Sequence, residues 1–372
     1  MSGSESRRHR PALWALALLL AGGRGEPIRF AGGQLVLDQR RDTATLTGAA
    51  RVLSGENTLT ARRIVVYQRE HYMVAEGDVV LVDPVKKTRL SGNRIHYDNA
   101  AEIATATERP TLTKEDERIT VEAEVIRGYT KQDRAVALTN VVIHKLAGSN
   151  GAGAMSSWSD TGEFFQNLST LVLERRCRIE TENAHAWCER ARVVHGQETL
   201  TAESNVHILQ WEGTNRSLTN NLWALRVRYD YDRTNRQFLA WTNVVLLDGS
   251  DGSRLTGGFL RHRPDSRYTY VKDRPAFRST RDGLDLQADL FERFEYSDLL
   301  YAKGNVKITD GEETAWASMA VHHKKEGLTV LYGAPRVERI GGSVLHAERI
   351  SMKSGQRGFR MEGQIRGKFA EF

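Results

Sequence analysis

Residues 58–84 read TLTARRIVVYQREHYMVAEGDVVLVDP. Leu59 is followed two places later by the small Ala61 and then by Ile64 and Val66; a polar turn near Gln68 to Glu70 precedes a Val-rich run from Val74 to Leu81. Apolar residues falling mainly at every second position, in runs rich in Val, Ile, Thr and Tyr, mark strands with one buried face. The stretch therefore predicts two strands and a turn.

The same pattern returns at Leu90, Gly92, Ile95 and Tyr97, and at Val121, Ala123 and Ile126. Further on it reads Leu222, Ala224, Val227 and Tyr229, then Leu255, Gly257 and Leu260, then Leu286, Ala288 and Phe291. The last copies are Ala315, Ala317 and Ala320, and Leu345, Ala347, Ile350 and Met352. Copies recur at roughly thirty residues, a period that marks a repeat architecture. A two-strand unit cannot bury an apolar face alone, so the units must stack into a quasi-one-dimensional array. Polar pairs such as Arg69-Glu70, Asp98-Asn99, Lys131-Gln132 and Gly355-Gln356 supply the turns. Little helix is expected. The small residue of each copy either lets two sheets approach closely or leaves room for a guest, and the sequence keeps both readings open.

Ala186, Cys188, Ala191 and Val193 fit the template, with Cys188 at the small position. Residues 146–162, LAGSNGAGAMSSWSDTG, break the rhythm with glycines and serines and read as a linker or long loop. The expected organisation is an export signal over 1–25, one β-domain over 27–145, the linker over 146–162, and a second β-domain over 163–372.

The export signal is read from basic Arg7, Arg8, His9 and Arg10, the apolar run ALWALALLLA from Ala12 to Ala21, and the small residues Ala21, Gly22 and Gly23. An apolar run of about ten residues is too short to span a bilayer. An uncleaved N-terminal anchor is the alternative; no cysteine follows the run to carry a lipid anchor. The only cysteines, Cys177 and Cys188, form an even, closely spaced pair, a disulfide candidate in an oxidising compartment, with two structural thiols as the plainer reading.

With 372 residues, 40% hydrophobic and 27% charged, the chain has ample apolar material for a core. A net charge of +6, inflated by the arginines of the signal, suits an anionic lipid surface or simply a solvated one. Export and the lack of a basic run disfavour nucleic acid.

The stretches TLTARRIVVYQREHYMVAEGDVVLVDP and TRLSGNRIHYDNAAEIATATERPTL, residues 58–84 and 88–112, resemble the OstA-like family, which includes the LptA periplasmic lipopolysaccharide-transport protein and the N-terminal domain of LptD. The likeness is strongest over roughly 46–144 and follows the same template more weakly from 186 to 369. It implies a twisted β-jellyroll of stacked antiparallel strands, open along one edge, here two in tandem, whose apolar interior receives lipid A acyl chains. It also implies partners: LptC-like and LptD-like jellyrolls and further copies of the chain stacked end to end. The chain departs from the simple bridge proteins in its greater length and its linker, and it ends without a β-barrel domain.

The expected function is carriage of lipopolysaccharide through a periplasmic apolar groove toward the outer membrane. Candidate groove residues are Leu59, Ile64, Val66, Leu90, Ile95, Tyr97, Ile126, Val227, Leu260, Phe291, Ile350 and Met352. The rival is a structural or adhesive β-solenoid with a dry core. No Gly-x-Ser-x-Gly, phosphate-loop or His-Glu-x-x-His pattern occurs, so neither catalysis nor a metal or cofactor is expected. His322 and His323 would point to opposite faces of a strand and are read as surface residues. Trp187, Trp223, Trp241 and Trp316 are read as core or rim packing, with a sugar platform as the alternative.

Overall fold

The computed structural model describes residues 29–368, apart from 55, 148–153, 166–168, 212–218, 233, 282, 311–312, 340–341, 354–355 and 357. The expected export signal lies outside the described residues. Regular structure among the described residues is antiparallel strand, interrupted by three single-turn 3-10 segments at Thr130–Gln132, His195–Gln197 and Glu295–Ser297. The chain divides into two compact units, Met1–Glu182 and Asn183–Phe372.

In the first unit, strands Thr43–Ser54, Asn57–Tyr67, Tyr72–Asp83 and Thr88–Asp98 pair as successive hairpins. Halfway along, every ladder slips: Thr47 faces Arg63 but Ala50 faces Ala61, so Gly48 and Ala49 together oppose Arg62. Such a two-against-one bulge bends a strand and re-aims its side chains. Gly48 and Ala49 both have positive φ, and so do Gly77-Asp78, Thr139-Asn140 and Arg175-Arg176 further along the same unit. Two consecutive left-handed residues turn each of these strands through a corner, the strands between them bend beside it without such a pair, and the two halves run on as two arms that face each other.

Where the corner is followed by proline, the strand breaks altogether. Glu108-Arg109 take the left-handed conformation just before Pro110, and there Ile103–Thr107 and Thr111–Lys114 pair with the two halves of Thr88–Asp98. The second unit repeats the arrangement: Asp273-Arg274-Pro275 separates Tyr268–Lys272 from Ala276–Ser279, and Gly333-Ala334-Pro335 separates Leu328–Tyr332 from Arg336–Arg339. A proline has no N–H to give the ladder and sits naturally where pairing pauses.

The corner explains the small residue of each repeat. Ala61, Cys188, Ala224, Ala288 and Ala347 are buried on the inner side of the bend. A Cβ on Gly257 would stand 2.6 Å from Val271 Cγ1 and 3.0 Å from the Lys272 carbonyl, and one on Gly92 would stand 3.3 Å from the Thr107 carbonyl. Of the two readings left open by the sequence, close approach of neighbouring strands accounts for these positions.

One expectation is corrected. Residues 155–162 of the expected linker belong to strand Met155–Phe165, which pairs with Arg134–Lys145 on one side and Thr170–Thr181 on the other. The units divide between Glu182 and Asn183 and not at 146–162. Its inward positions are Ser157 and Ser159, buried like any core residue, so the apolar alternation that announces a strand is missing. Residues 148–153 lie outside the described set.

Candidate functional site

Between the arms of the first unit lies a groove of about 460 Å³. One arm contributes Leu59, Leu81, Leu90 and Leu112, the other Met73, Ile95, Tyr97, Ala104, Ala135 and Phe164. Gly128 belongs to the lining too, and a Cβ placed on it meets nothing within 4 Å. The alternation of strand side chains puts these residues inside and their neighbours outside. Ile64 and Ile95 are 1% and 2% exposed, whereas the adjoining Arg63 and Arg94 side chains are 53% and 50% exposed, both reaching toward Glu76.

The rim is charged. Lys86, in the turn at the end of one arm, reaches Asp133 in a turn of the other at 2.9 Å. Lys131 pairs with Glu102 at 2.9 Å, and Arg134 with Glu163. About half of the Lys86 and Asp133 side chains is exposed, and pairs of that kind contribute at most about 1 kcal/mol. An apolar trough under such a rim suits an amphiphile: a chain of methylenes inside, a polar head in water.

The structure brings four of the candidate residues, Leu59, Leu90, Ile95 and Tyr97, to the groove wall. Ile64, Val66 and Ile126 are buried in the same unit, and Val227, Leu260, Phe291, Ile350 and Met352 are buried in the second unit. The sequence reading missed Met73, Ala104, Gly128 and Phe164, which lie outside the copied template, and it missed the cross-arm ion pair, whose members sit in turns.

In the second unit the corresponding opening is shut. Asp248, at the end of one arm, meets Lys324 Nζ and an Arg293 amino group of the other at 3.0 Å each, and Asp251 meets Lys324 at 2.8 Å. The Asp248 and Asp251 side chains are 10% and 7% exposed. Burial alone would raise the Asp248 carboxyl, but the Ser250 hydroxyl and amide, Lys324 and Arg293 hold it well below the usual carboxylate range. Beneath the ions lie Leu246, Leu255, Phe277 and Leu300 around a space of only about 20 Å³.

His322, expected at the surface, is buried beside Phe277 with ring centroids 5.9 Å apart, and its Nδ1 lies 3.0 Å from Thr329 Oγ1. Its inward parity on strand Glu313–His323 puts it in the core, while His323 takes the other face. Cys177 lies in the first unit and Cys188 in the second, and both are buried. No group of His, Cys, Asp and Glu suited to a metal ion occurs among the described residues, and no helix among them is long and apolar enough to cross a membrane.

Trp187, His207 and Trp223 stand in one cross-strand row on an outward face, with ring centroids 5.2 and 4.8 Å apart and rings nearly parallel. Rings stacked on one another in this way pack along the sheet, as the rim-packing reading of Trp187 and Trp223 expects.

The fold defines a class: β-jellyrolls of stacked antiparallel strands. Residues 31–150, under half of the chain, match the family described as LptA/(LptD N-terminal domain) LPS transport protein. None of the curated proteins matches the chain. Among solved structures, the chain is similar to LptH, the LptA homologous periplasmic component of the lipopolysaccharide transport device from Pseudomonas aeruginosa. The identity is 12% over 48% of this chain and 82% of that one, at a TM-score of 0.16. Agreement that slight carries no conclusion about this site.

Proposed function

We propose that this chain takes part in lipopolysaccharide transport as a periplasmic carrier, sheltering the acyl chains of the lipid in the groove of the first unit. The observation that carries the reading is the groove itself, a long apolar trough between two arms with lysine, arginine and carboxylates only at its rim. Its volume falls in the range of ligand sites. Each methylene removed from water contributes about 0.8 kcal/mol, so binding needs no covalent step and no cofactor.

A dry structural solenoid accounts for the tightly filled interior of the second unit but not for the trough of the first. The partners on this reading are other jellyroll proteins of the envelope, LptC-like and LptD-like, and further copies of the chain, because unpaired edge strands accept another strand.

Photo-reactive residues at Leu90 and Tyr97 should capture lipopolysaccharide in intact cells, while the same group at Arg63 and Arg94 should capture none. Equal capture at both sets would overturn the groove.

A further inference from the structure

We propose that the second unit holds a second acyl-chain site kept shut by a latch, the Asp248–Lys324–Asp251 cluster with Arg293. The proposal rests on the amphiphile reading of the first unit for its ligand class, a long unbranched acyl chain.

Three observations carry it. First, the cluster joins opposite arms at the place where the first unit is spanned by the exposed Lys86–Asp133 pair. The charges are exchanged: there the lysine stands on the arm that here bears the carboxylates. Second, the floor beneath it is apolar on both arms, Leu246, Leu255 and Phe277 on one, Leu299 and Leu300 on the other. Desolvated ion pairs are a poor way to seal a core permanently, because well-packed apolar side chains of the same volume do as well or better. They are a good way to seal one reversibly, since each partner regains water when the arms part.

Third, the acidic side of the latch keeps its form without the other arm. Ser250 N donates to Asp248 Oδ1 at 3.0 Å and Ser253 N to Asp251 Oδ1 at 2.8 Å, while the Asp248 amide donates to the Ser253 carbonyl at 2.9 Å. Residues 248–253 are thus a preformed receptor for the Lys324 ammonium. Opening requires only that Lys324 and Arg293 withdraw, and a lipid phosphate offers those two cations a replacement anion.

The test uses the full chain and two readouts. Amide hydrogen exchange at Leu246, Leu255 and Leu300 should quicken on the order of tenfold in the Asp248→Asn/Asp251→Asn variant, equivalent to about 1.4 kcal/mol of easier opening. Lys324→Arg, which keeps the cation, should exchange like the wild type, and circular dichroism should show all three folded. A photo-reactive group at Leu246, which lines that space, should capture an alkyne-tagged long-chain fatty acid weakly in the wild type and several-fold more in the double variant. Unchanged exchange, equal capture in wild type and variant, or faster exchange without added capture would each overturn the latched site. Capture at Leu90 in the same preparations reports the first-unit groove separately, so failure of that reading is told apart from failure of this one.

Discussion

Arg62 and Asp78 stand sixteen residues apart in sequence and meet across the outer corner of the first unit, the guanidinium Nε donating to the carboxylate at 2.9 Å. Asp160 and Arg176, Glu124 and Asn140, and Asp289 and Asn305 repeat the relation at the same separation. The corner is therefore a copied device, one polar side chain on a strand answering the left-handed pair on the next. The pairs are exposed and contribute little singly; what they mark is where the strand must bend.

The close approach beside the bend at Gly257 should tolerate no added atom. Gly257→Ala places a methyl 2.6 Å from Val271 Cγ1, and overpacking of that kind costs about 1–3 kcal/mol. Urea unfolding should show that loss, and a variant as stable as the wild type would mean that the corner yields.

Gly128 makes the opposite case, since its Cβ would enter open groove. Gly128→Leu should fold normally, within about 1 kcal/mol of the wild type, yet lower the uptake of a fluorescent fatty acyl probe several-fold by filling the trough. Unaltered uptake would place the acyl chain elsewhere.

The latch has a predictable response to acid. The carboxyl of Asp248 is depressed in the folded chain, so its contribution is complete above the ordinary aspartate value of about 3.9 and is lost as pH falls through the lower, folded value. Asp251, likewise lowered, and the cations Lys324 and Arg293 surround it, and Asp298 and His322 line the same space. The difference in unfolding free energy between the wild type and Asp248→Asn should stay constant from about pH 7 to 5 and close below about pH 4. A gap that widens with acid would contradict this. Lys324→Met, which takes the ammonium from both carboxylates and leaves Asp248 to Arg293, should cost about 3 kcal/mol at neutral pH.

Cys177 and Cys188 should form a bridge in the protein recovered from an oxidising compartment, as expected of an even, closely spaced pair in an exported chain. Mass-spectrometric counting of alkylated thiols without reductant checks it; full labelling of both would rule the bridge out.

Much of this molecule was legible in its residues because the repeat writes the same local rule many times. Leu59, Ala61, Ile64 and Val66 all proved to face inward. The jump from a spacing of two to a spacing of three between Ala61 and Ile64, uninterpretable as plain alternation, is the corner at Arg62 and Arg63. The rule failed where polar or small residues took inward positions: Ser157 and Ser159 disguised a strand as a linker, and His322 passed for a surface residue. The charged groups that span the two mouths were illegible for a different reason. Lys86 and Asp133, or Asp248 and Lys324, lie in turns 47 and 76 residues apart, and no local pattern reports a contact made only when distant arms close.

The alternation that lines the groove has a further effect on what light can report. Trp158 lies between buried Ser157 and Ser159, Trp223 between buried Leu222 and Ala224, and Trp241 and Trp316 each follow a buried alanine, Ala240 and Ala315. These indoles are turned to the outside of the strands, and Trp187 and Trp223 are stacked against an imidazole there. Apart from that of Trp211, which is buried in the second unit, tryptophan emission from the described residues therefore reports on the outer skin of the protein. A guest entering the trough would pass almost unseen in that signal, and the natural optical witnesses of filling are the phenols of Tyr97 and Tyr129, which belong to the groove wall.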